Sequence, residues 1–201
     1  TLTSFAGLVV FLPFFAGIQL KACLGECFRH LRIGKVFSRA TIFLQLIVHI
    51  LLGYRELRDS RYYRDDPIVR RLLGLKRLPD VATISRMLQD ADEPSVQHLR
   101  RLLRERVLAC LAGVGLARIT LDLDGTVQST GRFAEGTSVG YNKKKKGARS
   151  YYPLFCTIAQ TGQVLDFLHR SGNVHDSNGA RTFLVACLEA VLCSPYTAEV
   201  I

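Results

Sequence analysis

One short stretch constrains the fold of this chain more than any other, the apolar run ITLDLDGTV at residues 119–127. Because side chains alternate between the two faces of a β-strand, Asp122 and Asp124 are expected to share one face. Acidic residues are depleted in strands, and burying a carboxylate is costly unless it is paired or bound to a metal. The stretch therefore predicts a strand with one acidic face. The simpler alternative is a surface-facing pair without chemistry.

Residues 1–117, which precede this strand, are predicted to be helical. Ser38 is a suitable N-cap for a helix that ends near Gly53, and Pro67 suits the first turn of a short helix. Two amphipathic segments follow, LPDVATISRMLQD and EPSVQHLRRLLRERVLACLAG. Such helices with tight turns and many arginines resemble a helix-turn-helix unit, in which Arg86 would contact DNA. A basic, solvated helical bundle explains the same pattern, and both interpretations stay open.

Residues 118–201 are predicted to begin an α/β domain with the order β-β-β-α-β. After the acidic strand, two strand patterns are joined at Thr161 and Gly162, which suit a two-residue hairpin turn. Asp176 or Ser177 would then cap a helix, and a further strand follows it.

The chain is basic, and its charge is unevenly distributed. The formal net charge is +10 at pH 7; residues 1–117 hold 18 Lys and Arg against 10 Asp and Glu, and residues 118–201 hold 9 against 7. This charge suits a polyanionic partner, either nucleic acid or an anionic membrane surface. The apolar run at residues 5–20 contains Pro13 and is slightly short for a membrane span, so we expect buried helices there.

The Asp-x-Asp-Gly-Thr pattern on its own resembles the first motif of haloacid-dehalogenase-like phosphatases. In that family Asp122 would be the nucleophile and Asp124 the general acid, with magnesium bridging the site. The context fits less well, since 121 residues precede Asp122, a hairpin follows it, and no later paired acidic motif is present.

Several motifs in a fixed order point to a second family. The acidic strand is followed by Gly-Tyr-Asn-x-x-x-x-Gly at residues 140–147, Ser-Tyr-x-Pro-Leu at residues 150–154 and Arg-x-Gly-Asn at residues 170–173. This ordered set resembles DDE-type insertion-sequence transposases with a ribonuclease-H-like catalytic domain. The resemblance runs from SFAGLVVF, near the start of the sequence, to its C terminus.

The resemblance implies a function for each region. Residues 1–117 would be an α region that binds DNA, and residues 118–201 the first part of an α/β ribonuclease-H-like catalytic domain. The intact enzyme would bind double-stranded DNA at terminal inverted repeats as a homodimer, in the bacterial cytoplasm at the nucleoid, without a membrane. Two Mg²⁺ ions would clamp a phosphodiester for cutting and joining.

The resemblance also assigns the acidic residues. The first acid of the triad aligns on Asp124, and Asp122 on the same face would support the metal site. The second Asp is expected just beyond Ile201 and the Glu later, so we expect a fragment that does not cleave DNA alone. An inactive DNA-binding remnant is the remaining alternative.

Candidate DNA contacts cluster around the acidic strand. The lysine run would bind phosphates or form a solvated loop, Arg170 or Asn173 would bind phosphate or orient an acid, and Tyr141, Tyr151 and Tyr152 could stack on bases. The full set of candidate DNA contacts is Arg86, Lys143, Lys144, Lys145, Lys146, Arg149, Arg170 and Asn173.

Overall fold

The computed structural model describes residues 2–32, 34, 36–131, 134–140 and 142–194, and the backbone of residues 199–200. Tyr141, one of the predicted stacking residues, lies outside the described residues. The chain divides into two compact units, Thr1–Leu102 and Leu103–Ile201.

The first unit is helical, as predicted. Short 3-10 helices cover Ala6–Val10 and Leu57–Tyr62. The α-helices are α1 (Phe11–Gly17), α2 (Leu20–Cys27), α3 (Arg39–Leu51), α4 (Pro67–Leu73), α5 (Val81–Gln89) and α6 (Glu93–Val114), the last of which continues into the second unit.

The helix starts predicted at Ser38 and Pro67 are confirmed, and Asp80 provides a further cap. The Ser38 hydroxyl accepts a hydrogen bond of 3.2 Å from the Thr41 N–H at the start of α3. Helix α4 begins at Pro67, and helix α5 is capped by Asp80, whose carboxylate accepts a 2.7 Å bond from the Thr83 N–H. Each cap satisfies a backbone donor that the first helical turn leaves without a partner.

The core of the first unit is apolar and tightly buried. Leu24, Leu44, Val48 and Leu73 pack together, and fully burying a side chain of this kind contributes about 1.5–3 kcal/mol. No single described helix has both the length and the apolar composition of a membrane span. The bent pair Ala6–Gly17 and Leu20–Cys27, with 62° between its halves, meets both criteria only when taken together.

The second unit combines short strands with one further helix. Its elements are β1 (Arg118–Ile119), β2 (Leu121–Gly125), β3 (Gln128–Ser129), β4 (Ser138–Val139), β5 (Arg149–Tyr151), β6 (Leu154–Ile158), β7 (Gln163–Leu168), α7 (Ala180–Leu192) and β8 (Glu199–Val200). Strands β2, β6 and β7 form an antiparallel sheet in that order. Strand β1, separated from β2 by Thr120 alone, pairs in parallel with β8. Strands β3, β5 and β4 form a smaller antiparallel sheet.

The predicted hairpin between β6 and β7 is present, but its turn is longer than expected. Ile158 pairs with Gln163, so residues 159–162 form the connection. The Gly162 N–H donates to the Ile158 carbonyl at 2.7 Å, and Gly162 has a φ of 68°. This i→i+4 turn needs four residues, and glycine occupies its left-handed position.

The predicted cap of the last helix is wrong. Helix α7 begins after Gly179, which adopts the left-handed conformation and caps it without a side-chain hydrogen bond. The chain takes further turns before the helix starts, and Asp176 is therefore available for a different contact.

One side of the larger sheet packs against two helices. The C-terminal half of α6 supplies Val107, Leu108 and Leu111, and α7 supplies Phe183 and Cys187. The two compact units consequently divide inside α6, whereas the predicted regions met at residue 117.

Candidate active site and nucleic-acid interface

Strand β2 places the two acids on one exposed face, as its alternation predicted. Asp122 and Asp124 are exposed, whereas Leu121 and Leu123 are half-buried and contact the core. Across the sheet, Asp122 pairs with Thr157 and Asp124 with Phe155. Asp124 is the acid nearer the end of the strand.

Asp166, on β7, cannot join these two acids. It pairs across the sheet with Cys156, which is fully buried, so its carboxylate lies on the core side. There it is 0% exposed and lies 3.6 Å from the Arg104 guanidinium.

The residue after Asp124 packs directly against a tyrosine. A Cβ added at Gly125 would lie 2.6 Å from the Tyr152 hydroxyl oxygen, closer than side-chain carbons approach. The Asp176 carboxylate beside the Tyr152 hydroxyl is the main reason that the pKa of Tyr152 is raised. The negative charge of Asp124 acts in the same direction. Tyr152 and Asp176 are thereby fixed beside the end of β2.

Arg170 holds this arrangement together from below the surface. It is only 7% exposed. Its Nε donates to the Tyr152 carbonyl at 3.0 Å, and its Nη1 donates to the carbonyls of Asp176 and Asn178, each at 3.0 Å. The guanidinium also lies 5.2 Å from the centre of the Tyr152 ring. These contacts are suited to orienting Asp176; the predicted phosphate contact of Arg170 stays a prediction.

A cavity of about 570 Å³ opens next to the acidic strand. It begins at Gly125 and Thr126, and Tyr152 and Asp176 form part of its wall. The remaining lining residues include Lys143, Lys144 and Lys145. Three cationic side chains therefore line a recess beside the carboxylates, which suits a phosphate group.

Asn142 fixes the lysine loop. It is 5% exposed, and its Oδ1 accepts hydrogen bonds from the N–H groups of Lys144 at 3.2 Å and Lys145 at 3.0 Å. Its Nδ2 donates to the Ser129 hydroxyl at 2.9 Å. The asparagine in Gly-Tyr-Asn thus forms a turn that ties the loop to β3.

Gly172 brings two of the sequence motifs together. Its N–H donates to the Ser150 carbonyl at 2.9 Å, and an added Cβ there would collide with Ser150. The Gly172 carbonyl in turn occupies the space that a Cβ on Gly140 would need. Only glycines allow this approach of the Gly-Tyr-Asn and Arg-x-Gly-Asn segments.

The other candidate DNA contacts lie in different surroundings. Lys146 and Asn173 are exposed. The Nε of Arg149 donates to the Thr137 hydroxyl at 2.9 Å, and its guanidinium also contacts the Thr137 carbonyl. Arg86 lies on α5 in the first unit, exposed, with its Nε donating to the Ala82 carbonyl at 3.2 Å. Their roles in DNA binding stay predictions.

The donor chemistry of β2 suits a hard divalent cation. Carboxylate oxygens are the ligands that Mg²⁺ prefers, and both aspartates offer them on an exposed face. Within the described residues, however, no group of three or more His, Cys, Asp or Glu side chains could hold a metal ion. Asp122 and Asp124 therefore fit part of a metal site.

Comparison with known proteins identifies the class. A sequence profile of the family described as Transposase DDE domain group 1 matches residues 1–195. The chain therefore belongs to the DDE-type transposases, a family whose function is DNA transposition. No curated protein and no solved structure matches the chain. The phosphatase and DNA-binding-remnant alternatives receive no support from these comparisons.

Proposed function

We propose that the intact protein binds the ends of a mobile element and cuts and joins DNA strands by metal-dependent phosphoryl transfer. Asp124 is the first acid of its triad, and Asp122 supports it. The substrate is double-stranded DNA at terminal inverted repeats, and the working form is a homodimer near the nucleoid. The observation that carries the proposal is the exposed acidic face of β2, which ends beside a lysine-lined cavity.

The strand order supports a ribonuclease-H-like domain. The antiparallel strands β2, β6 and β7 are followed by helix α7 and by β8, which is parallel to β1. Residues 118–125 therefore have a parallel neighbour along β1 and an antiparallel neighbour along β2. This is the arrangement expected at the start of such a domain.

Each residue has a distinct part in the proposed reaction. Asp124 holds Mg²⁺ through its carboxylate, and bound Mg²⁺ supplies Lewis-acid chemistry for the phosphodiester. Lys143, Lys144 and Lys145 bind the neighbouring phosphates, which offsets the repulsion between DNA and the two aspartates. Arg170 positions Asp176 and Tyr152 through the contacts described above.

An excision assay in cells tests the proposal. The product of the reading frame that contains these residues would act on a marker bounded by the element's terminal repeats. Asp124→Asn keeps the size of the side chain and removes its charge, and we expect excision to fall by about a hundredfold to a thousandfold, the range seen when one group that stabilises a transition state is removed. Asp122→Asn should have a smaller effect.

Glu189→Gln is the matched control, because Glu189 is exposed on α7 and remote in sequence from β2. Its excision frequency should equal that of the unaltered protein. Full activity in the Asp124→Asn variant would refute the assignment of Asp124.

A further inference from the structure

The first unit contains a second cationic cavity that the acidic site does not involve. Its volume is about 570 Å³, and two aspartates, Asp65 and Asp80, are its acidic lining residues. Five arginines line it: Arg58, Arg61, Arg64, Arg70 and Arg77. We refer to this cavity as the arginine cleft.

A 3-10 helix carries two of these arginines, and a third lies in the turn after it. Arg58 and Arg61 lie on the 3-10 helix Leu57–Tyr62, and Arg64 follows one further turn along the chain. Because a 3-10 helix has three residues per turn, side chains three apart eclipse one another and repeat every ~6 Å. Arg58 and Arg61 therefore repeat along one side of this helix, a spacing that suits a linear polyanion.

The segment that carries these arginines is anchored in the core. Tyr63, between Arg61 and Arg64, is 1% exposed, and its hydroxyl shares a hydrogen bond of 2.9 Å with Nδ1 of His49 on α3. The guanidinium of Arg61 lies 4.7 Å from the centre of the Tyr62 ring and donates to the Tyr62 hydroxyl at 2.7 Å. An anchored backbone and a stacked guanidinium reduce the entropy lost when an anion binds.

Carboxylates neutralise only part of the cleft. Asp65 forms ion pairs with Arg64, at 3.3 Å, and with Arg70, and Glu56 forms one with Arg58. Among the residues that the structure describes, no carboxylate forms an ion pair with Arg61 or Arg77. The cleft thus keeps an excess of positive charge, which attracts anions.

The cleft lies beside the N-terminal end of α5. Asp80, Val81 and Thr83 belong to its lining. Another cavity, of about 380 Å³, lies along the same helix, and its lining includes Arg39, Arg77 and Arg86. Phe37, Arg77 and Thr83 line both cavities, so the two cavities adjoin and both have arginines next to α5.

We propose that the arginine cleft binds the phosphodiester backbone of duplex DNA while α5 faces the adjoining groove. This inference rests on the proposed function and names the surface of the first unit that would hold the DNA. Phosphate contacts next to a helix would fix its register on a duplex. Phe37 is the single aromatic residue in the lining, so the cleft offers guanidinium groups for phosphates and little surface for stacking bases.

The test is the salt dependence of DNA binding by the complete chain. The probe is a fluorescent duplex of mixed sequence, and affinity is measured by anisotropy over a range of salt concentrations. The variant Arg58→Gln/Arg61→Gln/Arg64→Gln should bind about ten to a thousandfold more weakly at low salt. The slope of log K against log salt should become shallower by about two to three, roughly one for each phosphate that the variant no longer neutralises.

A matched variant removes the same charge elsewhere in the unit. Arg29→Gln/Arg71→Gln/Arg101→Gln alters three exposed arginines that do not line the cleft, and it should retain the unaltered slope. The single variant Arg61→Gln tests the same point with little risk of misfolding, because Arg61 is exposed. It should make the slope of log K against log salt shallower by about one. Circular dichroism of each variant checks the fold.

Three results would overturn the inference: equal slopes for the cleft and matched variants, no duplex binding by the unaltered chain, or equally tight binding of a single strand. The excision assay separates these from the proposed function. If the cleft variant shows normal excision and unaltered DNA binding, only the inference about the cleft is rejected. Unaltered excision in Asp124→Asn would reject the catalytic assignment and leave the cleft standing.

Discussion

The two units of this chain differ in the charged side chains that they expose. The first unit keeps most of the basic excess and displays it as arginines around α5, whereas the second displays two aspartates on an open strand face. An acidic face repels DNA, so a protein that uses one for phosphoryl transfer needs cations to bring the substrate to it. In the proposed function, Lys143–Lys145 would supply some of these cations beside β2, and the arginine cleft would supply more in the first unit.

The interiors of the two units differ as well. The first unit buries neutral polar groups: Tyr63 and His49 share a hydrogen bond, and burial lowers the pKa of His49 and so favours its neutral form. The second unit buries the Asp166 carboxylate, which lies 3.6 Å from the partly exposed Arg104 guanidinium. The stability of the first unit should therefore depend on pH through Tyr63 and His49. The stability of the second unit should fall when the charge of Arg104 is removed.

Replacing Arg104 with methionine should lower the stability of the protein more than the ionisation of Tyr63 does. Arg104→Met keeps an unbranched chain of similar length and removes the guanidinium that lies beside the buried Asp166 carboxylate. Removing one member of a fully buried pair typically costs about 3–5 kcal/mol. Because Arg104 is partly exposed and Asp166 also accepts from the Phe167 N–H, we expect the lower end of that range, and the unit should unfold at lower urea concentration. Hydrogen exchange at the amides of β6 and β7 reports this loss in the second unit specifically.

Arg101→Met, one turn earlier on α6, is the control and should change the urea midpoint little. The double variant Arg104→Met/Asp166→Asn should be more stable than the sum of its two single variants predicts, because the buried negative charge is removed together with the guanidinium. Additive effects in that cycle would show that Arg104 stabilises the core by packing alone.

Alkaline pH should weaken the first unit. Burial raises the pKa of Tyr63 to about 12 in the folded chain, above its unfolded value of about 10. A raised pKa means that the protonated phenol stabilises the fold; this stability is complete below about pH 10 and is lost as the pH rises toward 12. The loss should be on the order of 2 kcal/mol, measured as a falling urea midpoint followed by circular dichroism.

Tyr63→Phe removes the titrating group together with its hydrogen bond to His49, and it should flatten the alkaline dependence. Tyr62→Phe changes a neighbouring exposed phenol and should keep the unaltered dependence. An equally steep alkaline loss in Tyr63→Phe would place its cause in another group.

Local patterns were sufficient to predict many elements of the fold. Ser38 and Pro67 marked helix starts because capping depends on the identity of one or two residues, and Asp122 and Asp124 shared a face because the strand period is fixed. The start of α7 was mispredicted because residues 176–179 form turns before the helix begins, and Asp176 lies beside Tyr152, a residue distant in sequence. A local sequence pattern shows that Asp176 is a suitable helix cap. It does not show that Tyr152 lies beside Asp176 in the fold.

The arginine cleft shows the same limit. Arg58 and Arg61 are three residues apart, a spacing that eclipses side chains only in a 3-10 helix, and Arg64, Arg70 and Arg77 reach the cleft from outside that helix. The excess of charge in residues 1–117 was visible from composition, and Arg86 stood out from its helix pattern. The grouping of five arginines around one cavity depends on tertiary packing.

The smallest predicted effect concerns the cations of the second unit. Asn142→Ala removes the side chain that accepts from Lys144 and Lys145 and donates to Ser129, leaving the charge of the loop unchanged. Losing such hydrogen bonds costs about 1–2 kcal/mol, and the loop should become more mobile. If ordered lysines matter for binding next to the acidic strand, duplex affinity should fall by less than about tenfold with an unaltered salt slope, since every cation is kept.

Asn178→Ala is the control, because Asn178 contacts Arg170 through its backbone carbonyl, which the substitution keeps. A shallower slope in Asn142→Ala would instead mean that the loop no longer binds phosphates at all when the asparagine is removed. The lysines would then depend on that turn as strictly as the cleft arginines depend on their anchored 3-10 helix.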